Sequence, residues 1–339
     1  MLVQHRRGVR SLGRPVDLLE HGGSGHVDGQ RRAILVTGAC GFVGRPLVAA
    51  LADAGYAVRA ATRSPAAFPP GIEAVGVPDF TEPVDWDAIL RGIDLVVHTA
   101  GLAHADSSEF PAGMFDRVNR IATHELAAAA ARAGVKHFIF ISSVRAQVGA
   151  SAAHALRETD EPRPTDRYGR SKLDAEVAVR ASGVPFTILR PVVIYGPHAK
   201  ANIRLLVRLA SLPIPLPFAA FDNRRSILSV DNLISAILFA LNNRTTMGET
   251  FLIADPVPVA LRNIFAMLRR AQGRKPRLVP IPPGLIRLGL IALGQGHLWE
   301  RIGGELVVET AKFEALGWRP AVDTDAGLAA VLHGLDSSV

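Results

Sequence analysis

The chain has 339 residues, enough for one large α/β domain with an appended lobe, and its Ala-, Leu- and Val-rich composition excludes disorder over most of its length. The net charge is +7, but six arginines against three acids fall in the first 32 residues, so the rest carries only a mild, spread surplus. That pattern lacks the basic stripe of a nucleic-acid binder and suits an anionic small molecule. One cysteine excludes an intrachain disulfide and a cysteine metal cage, and no apolar run reaches the ~18 residues of a membrane span.

In chain order, residues 1–30 show scattered arginines and His21-Gly22-Gly23-Ser24-Gly25-His26 without the apolar centre of a signal peptide. They read as a disordered extension of a cytoplasmic protein. Ala33-Ile34-Leu35-Val36 reads as a buried strand, followed by the glycine turn Gly38, Gly41, Gly44 and a helix through Leu47-Val48-Ala49-Ala50-Leu51 that stops near Gly55. Strands follow at 57–63, 72–77, 95–100, 137–141 and 186–189, with helices at 115–133 and 168–181 between the later ones. This alternation predicts a Rossmann-type doubly wound parallel sheet over residues 31–190. Beyond Pro191 the texture changes. Leu212-Pro213-Ile214-Pro215-Leu216-Pro217 cannot be a regular element. Helices are expected at 231–241 and 261–271 and a strand at 250–253, with 225–255 returning to the first domain and 191–224 and 256–339 forming a smaller substrate-binding lobe. The apolar stretch 283–293 carries Arg287 and is expected to be a core helix rather than a surface anchor.

A strand, a glycine turn and a helix make a phosphate cradle, because glycines let the backbone approach a pyrophosphate and the helix start offers free N–H groups. Tyr168 and Lys172 lie four apart, so a helix puts them on one face, where the ammonium is expected to lower the phenol pKa. An acid at the end of the second strand would select NAD; here Ala60-Ala61-Thr62-Arg63 ends in a base, which favours NADP(H) over NAD(H). Cys40 fills a variable slot of the turn. His98 and His104 read as strand-end and loop histidines rather than metal ligands, and no metal is expected.

With Gly38-x-x-Gly41-x-x-Gly44, Asp79, Asn119, Ser142-Ser143, Tyr168-x-x-x-Lys172, Arg190-Pro191 and Tyr195-Gly196-Pro197 in this order, the chain resembles the extended short-chain dehydrogenase/reductases of the NAD-dependent epimerase/dehydratase type over residues 32–325. The resemblance implies a catalytic set of Ser143, Tyr168 and Lys172, the serine donating to the reacting oxygen, with Ser142 the fallback. It implies a cofactor site of Gly38, Gly41, Phe42, Val43, Gly44, Arg63, Asp79, Phe80, Ala100, Tyr168, Lys172 and Pro191, with Asp79 and Phe80 flanking the adenine. Asn119 is expected to link helix to strand. The stretch from Asp222 to Leu233 is similar to the segment of nucleotide-sugar enzymes that sets an arginine on the sugar diphosphate, which points to Arg225, with Arg224 as a surface charge or its substitute and Asn202 as a further phosphate contact.

The texture is nearest to UDP-4-keto-6-deoxy-hexosamine 4-reductases serving surface polysaccharide. Family epimerases follow the serine with Val-Tyr-Gly; this chain has Ala146-Gln147-Val148-Gly149, which weakens the alternative, a UDP-sugar 4-epimerase. The same residues also leave open a reductase of a non-nucleotide carbonyl and a non-catalytic dinucleotide sensor. Relatives imply a homodimer through the helices at 115–133 and 168–181.

Overall fold

The computed structural model describes residues 26–27, 30–64, 66–102, 111, 113–197 and 202–336. Its centre is a parallel sheet of seven strands: β1 (Ala33–Thr37), β2 (Ala57–Thr62), β3 (Glu73–Gly76), β4 (Leu95–His98), β5 (His137–Ile141), β6 (Phe186–Pro191) and, after β7 (Val193–Tyr195), β8 (Arg224–Arg225) and β9 (Ile227–Ser229) outside the sheet, β10 (Thr250–Ile253). The spatial order is β3-β2-β1-β4-β5-β6-β10, so the winding reverses between β1 and β4. Ligands of such sheets bind outside the carboxyl ends of the strands at that reversal.

Strand periodicity explains the two apolar layers. β1 sends Ile34 and Val36 to one face and Leu35 to the other; β5 divides Ile139 and Ile141 from Phe138 and Phe140. The first layer is covered by α1 (Gly44–Asp53) through Leu47, Val48 and Leu51, and by α6 (Val230–Asn242) through Leu233 and Ile237. The second is covered by α3 (Ala122–Arg132), α4 (Arg167–Ala181) and Trp86 of the short α2 (Trp86–Ile89). Burial on both faces is why these strands read as continuous apolar runs, and each fully buried Leu or Ile contributes roughly 1.5–3 kcal/mol.

The expected helix at 115–133 is divided. Residues Asp116–Ile121 form a π-helical turn before α3 begins. The wider turn turns Asn119 inward, and the Thr123 hydroxyl donates to the Asn119 carbonyl at 2.6 Å. At the chain's start, His26–Val27 pairs antiparallel with Gln30–Arg31; the remainder of the expected extension 1–30 lies outside the described residues.

A third apolar cluster, with Tyr195, Phe218, Phe265 and Leu328, sits beside the sheet. It is built by α5 (Asn202–Ser211), the antiparallel pair of β8 with β11 (Val259–Ala260), α7 (Leu261–Ala271) and α11 (Thr324–Asp336). Buried Arg269 organises the proline loop: its guanidinium donates to the carbonyls of Ala210, Leu212, Ile214, Pro276 and Arg277. The lobe boundary read from sequence is crossed late in the chain, because Leu306, Val308, Phe313 and Trp318 pack into the first layer of the sheet. Phe313, in α10 (Ala311–Glu314), meets Phe251 of β10 with ring centroids 4.8 Å apart.

The stretch expected to be a core helix forms α8 (Pro283–Ala292), followed by α9 (Gly296–Ile302), but no residue of α8 is buried. Only Ile286 among its apolar residues packs against the third cluster, since α8 lies on α9 at the edge of the lobe rather than between two layers.

Candidate active site

The glycine turn closes at the carboxyl end of β1. Gly38 takes φ 69°, in the left-handed region that favours glycine, and its carbonyl accepts from Gly41 N at 2.8 Å. A Cβ on Gly44 would stand 2.1 Å from the Gly38 carbonyl oxygen, and one on Gly38 would stand 2.8 Å from Ala100 N at the end of β4. Val43 precedes α1 without a side-chain cap; Arg45 N donates to the Gly41 carbonyl at 3.0 Å and Pro46 has no N–H, so in the first turn it is the Gly44 N–H that faces a ligand. This bare backbone cradle fits a dinucleotide pyrophosphate. Phe42 bridges the first and third apolar clusters, and Cys40 is exposed.

At the next strand ends, Arg63 Nη1 donates to Asp79 Oδ2 at 2.8 Å, an exposed pair that holds the Asp79 carboxyl below the usual carboxylate range. The Phe80 ring turns into the second apolar layer against Trp86 and His98, away from the expected place beside an adenine. Pro191 is buried at the end of β6, in register with Ile253.

Ser143 follows β5 and caps a 3₁₀ turn at Val144–Ala146; its hydroxyl oxygen accepts from Arg145 N at 3.2 Å. Tyr168 lies in the first turn of α4, which packs on the 3₁₀ turn that Ser143 caps. One turn on, Lys172 Nζ donates to the Ile141 carbonyl at 2.8 Å and sits 4.5 Å from the centre of the Phe140 ring. The three groups of the expected catalytic set thus lie together where β5 ends and α4 begins.

The expected lowering of the phenol pKa is corrected. Burial pushes Tyr168 above its ordinary value, the nearby Ser143 hydroxyl opposes this, and the Lys172 ammonium is turned to Ile141. Burial also lowers Lys172 itself, to about 8.

The surroundings show why Ser143 rather than Ser142 meets the tyrosine. Ser142 Oγ donates to Glu176 Oε1 at 2.6 Å, and buried Glu176 is held by Arg190 through two bonds of 2.8 and 2.7 Å. Arg190 Nη1 also donates to Gln147 Oε1 at 2.9 Å, and Gln147 Nε2 donates to the carbonyls of Arg157 and Asp160. Gln147, near the place of the family's tyrosine, is therefore a buried strut.

Sequence reasoning also missed Arg145, Asp166 and Gly169. Asp166 caps α4 by accepting from Gly169 N at 2.6 Å, and Arg145 is ion-paired with Asp166. A Cβ on Gly169 would stand 2.2 Å from the Arg145 carbonyl oxygen, so this glycine lets α4 approach the serine turn. An aspartate three residues before that glycine at a helix start was the available signal.

Asn119 accepts from Leu102 N at 2.8 Å and donates to Ser171 Oγ at 2.9 Å, linking the π-helical turn, the β4 loop and α4. Buried His98 is hydrogen-bonded to Thr37 at 2.6 Å and Thr123 at 2.9 Å, which gives both ring nitrogens a structural use. His104 lies outside the described residues.

Arg225, expected to grip phosphate, donates to the carbonyls of Gly304 at 2.7 Å and Ala150 at 3.1 Å. Burial and the nearby Arg145 charge lower its pKa. Both acceptors are neutral, so its charge is left for an anion, whereas Arg224 forms an exposed ion pair with Glu305. Asn202 begins α5, with its side chain outside the described residues.

Comparison with known proteins agrees with this architecture. The NAD dependent epimerase/dehydratase family matches residues 34–254. The UDP-glucose 4-epimerase of Vibrio cholerae is 33% identical over 299 residues, covering 85% of this chain and 91% of that protein. The N-acetyl-alpha-D-glucosaminyl-diphospho-ditrans,octacis-undecaprenol 4-epimerase of Escherichia coli O157:H7 is 30% identical over 262 residues, covering 75% of this chain and 77% of that protein. The solved structure of MoeE5 in complex with UDP-glucose and NAD superposes with a TM-score of 0.72 at 25% identity, over 90% of this chain and 99% of that one. With its glycine cradle, its Ser143–Tyr168–Lys172 cluster and these likenesses together, the chain belongs to the NAD dependent epimerase/dehydratase family.

Proposed function

We propose that the chain reduces the 4-keto group of a UDP-linked 6-deoxy-N-acetylhexosamine with NAD(P)H, in surface polysaccharide biosynthesis. The observation that carries this reading is the packing of the Tyr168 turn of α4 on the turn capped by Ser143, with the phenol kept protonated by burial. When bound, the nicotinamide supplies the hydride. Tyr168 gives its proton to the C4 oxygen as negative charge develops there, and Ser143 Oγ donates to the same oxygen. Lys172 would hold the nicotinamide ribose on one side, and solvent reprotonates the phenolate left on Tyr168. Arg225, which pairs with no carboxylate among the described residues, takes the substrate diphosphate.

A phenol held protonated suits donation to a ketone, whereas an epimerase must begin by removing a hydroxyl proton. The buried strut role of Gln147 supports the same choice. The likeness to the Vibrio cholerae UDP-glucose 4-epimerase favours a second reading, a UDP-sugar 4-epimerase. Incubating the protein with UDP-glucose or UDP-N-acetylglucosamine and no added coenzyme separates the two: the reductase predicts no interconversion, and formation of the C4 epimer would establish the second reading.

NADP(H) is the favoured coenzyme, with NAD(H) the alternative, because the exposed Arg63 guanidinium at the end of β2 matches a 2′-phosphate. A homodimer through the outer faces of α3 and α4 completes the proposal.

A further inference from the structure

The observation not used by this chemistry is α8. Its sequence, Pro-Gly-Leu-Ile-Arg-Leu-Gly-Leu-Ile-Ala, is apolar around almost the whole circumference, the pattern of a helix enclosed in protein or in lipid. The fold does not enclose it. Leu285 is 60% exposed, Leu288 64% and Ile291 54%, with Leu293 beyond the helix end at 76%. The three helical residues are spaced three apart and share one outward face, while Ile286 points to the lobe.

The patch extends beyond the helix. Val279 and Ile281 lead into it, and the loop bearing exposed Leu212 and Ile214 lies alongside, because Leu216 and Val279 are joined through the backbone and Arg269 holds the Leu212, Ile214 and Arg277 carbonyls together. The stretch that leads into the patch is basic. Residues 256–299 contain seven Lys and Arg and no Asp or Glu. Of these, Arg270, Arg274, Lys275, Arg277 and Arg287 are exposed.

We propose that this face of the lobe, the apolar ridge of α8 with the basic loop before it, docks on the surface of an anionic lipid bilayer. Leu285, Leu288, Ile291 and Leu293 enter the boundary between headgroups and acyl chains, with α8 lying in the plane of the interface. Arg274, Lys275, Arg277 and Arg287 meet the phosphates, their long stems reaching up from the apolar ridge. The helix is ten residues long, too short to cross the hydrocarbon, so the contact is peripheral. The α8–α9 hairpin runs directly into Gly304, whose carbonyl holds Arg225, so the docked surface belongs to the lobe that carries the candidate substrate site. The inference stands on exposure and charge, independently of the reaction proposed above.

The test is co-sedimentation of the full chain with vesicles of phosphatidylethanolamine and phosphatidylglycerol, and separately with pure phosphatidylcholine vesicles. The wild type is expected to pellet with the anionic vesicles and to be released as salt is raised. Leu285→Glu with Leu288→Glu, and separately Arg274→Glu with Lys275→Glu, should each weaken vesicle binding by about tenfold or more. Coenzyme binding and thermal unfolding serve as folding controls, since all four side chains are exposed and none belongs to the glycine turn. Wild-type protein that stays in the supernatant with anionic vesicles overturns the proposal, as do variants that pellet like the wild type. A vesicle-free oligomer that Leu285→Glu with Leu288→Glu converts to monomer also overturns it, in favour of a second copy of the chain as the cover.

Discussion

A tyrosine whose pKa is raised by burial is a proton donor at neutral pH, and its hydroxyl is worth most where a second donor steadies the same oxygen. Tyr168→Phe should therefore lower kcat by roughly 10²–10⁴-fold while coenzyme affinity stays near wild type, read by turnover and by fluorescence titration with NADPH. Arg63→Ala should raise the KM for NADPH by about tenfold and leave that for NADH nearly unchanged, because losing one charge-assisted hydrogen bond is worth about 1.5–3 kcal/mol; equal changes for both coenzymes would assign Arg63 to adenine or to Asp79 alone. The spacing of Tyr168 and Lys172 and the glycines of the turn were legible because both act within a few residues of each other along the chain. The direction of Lys172 was not. Its partner, the Ile141 carbonyl, lies 31 residues away on β5, and only the packing of α4 on the sheet brings them together. Gln147 and Arg145 were hidden for the same reason, since their partners Arg190 and Asp166 are set by tertiary contact.

The elements carry two requirements that side-chain chemistry does not show. Gly169 allows the first turn of α4 to touch the serine turn, so Gly169→Ala should separate Ser143 from Tyr168. Expected is a fall in kcat comparable to removal of Ser143, with coenzyme binding retained; unchanged turnover would mean that the turn yields without moving the pair. Arg269 satisfies the carbonyls of the proline loop and the loop after α7 from inside the lobe. Arg269→Met should cost at least about 3 kcal/mol in denaturant unfolding, because several buried carbonyls lose their donor at once. The strands and most helices were readable from period alone, including β10 and α7 at their observed bounds. The π-helical turn was not, since Asp116–Ile121 carries an ordinary helical pattern and the wider turn answers to Asn119 and its partners. Nor was the exposure of α8 readable, because a short apolar helix has the same sequence in a core and at an interface.

Across the whole molecule, burial of neutral histidines links stability to acid. His98 is held at about 3 and His137 at about 4, both chiefly by burial, against an ordinary value of 6.5. Between those limits the unfolded chain binds more protons than the folded one, so stability is full above pH 6.5 and is lost as pH falls towards 3. The two sites together should cost roughly 3–4 kcal/mol between pH 7 and 5 by denaturant titration. A flat profile would mean that the imidazoles are not enclosed. The proposed dimer is checked at Val177, an exposed apolar residue on the outer face of α4: Val177→Asp should convert a dimer to monomer in sedimentation, and a wild type that already sediments as a monomer would contradict the contact. Protonation of a ketone by Tyr168 beside a reduced nicotinamide is read by mixing the protein with UDP-4-keto-6-deoxy-N-acetylglucosamine and NADPH or NADH and following the loss of reduced-nicotinamide absorbance. Stoichiometric oxidation is expected, faster with NADPH and abolished in Tyr168→Phe; no oxidation with either coenzyme, or undiminished oxidation in Tyr168→Phe, would rule out this role of the tyrosine.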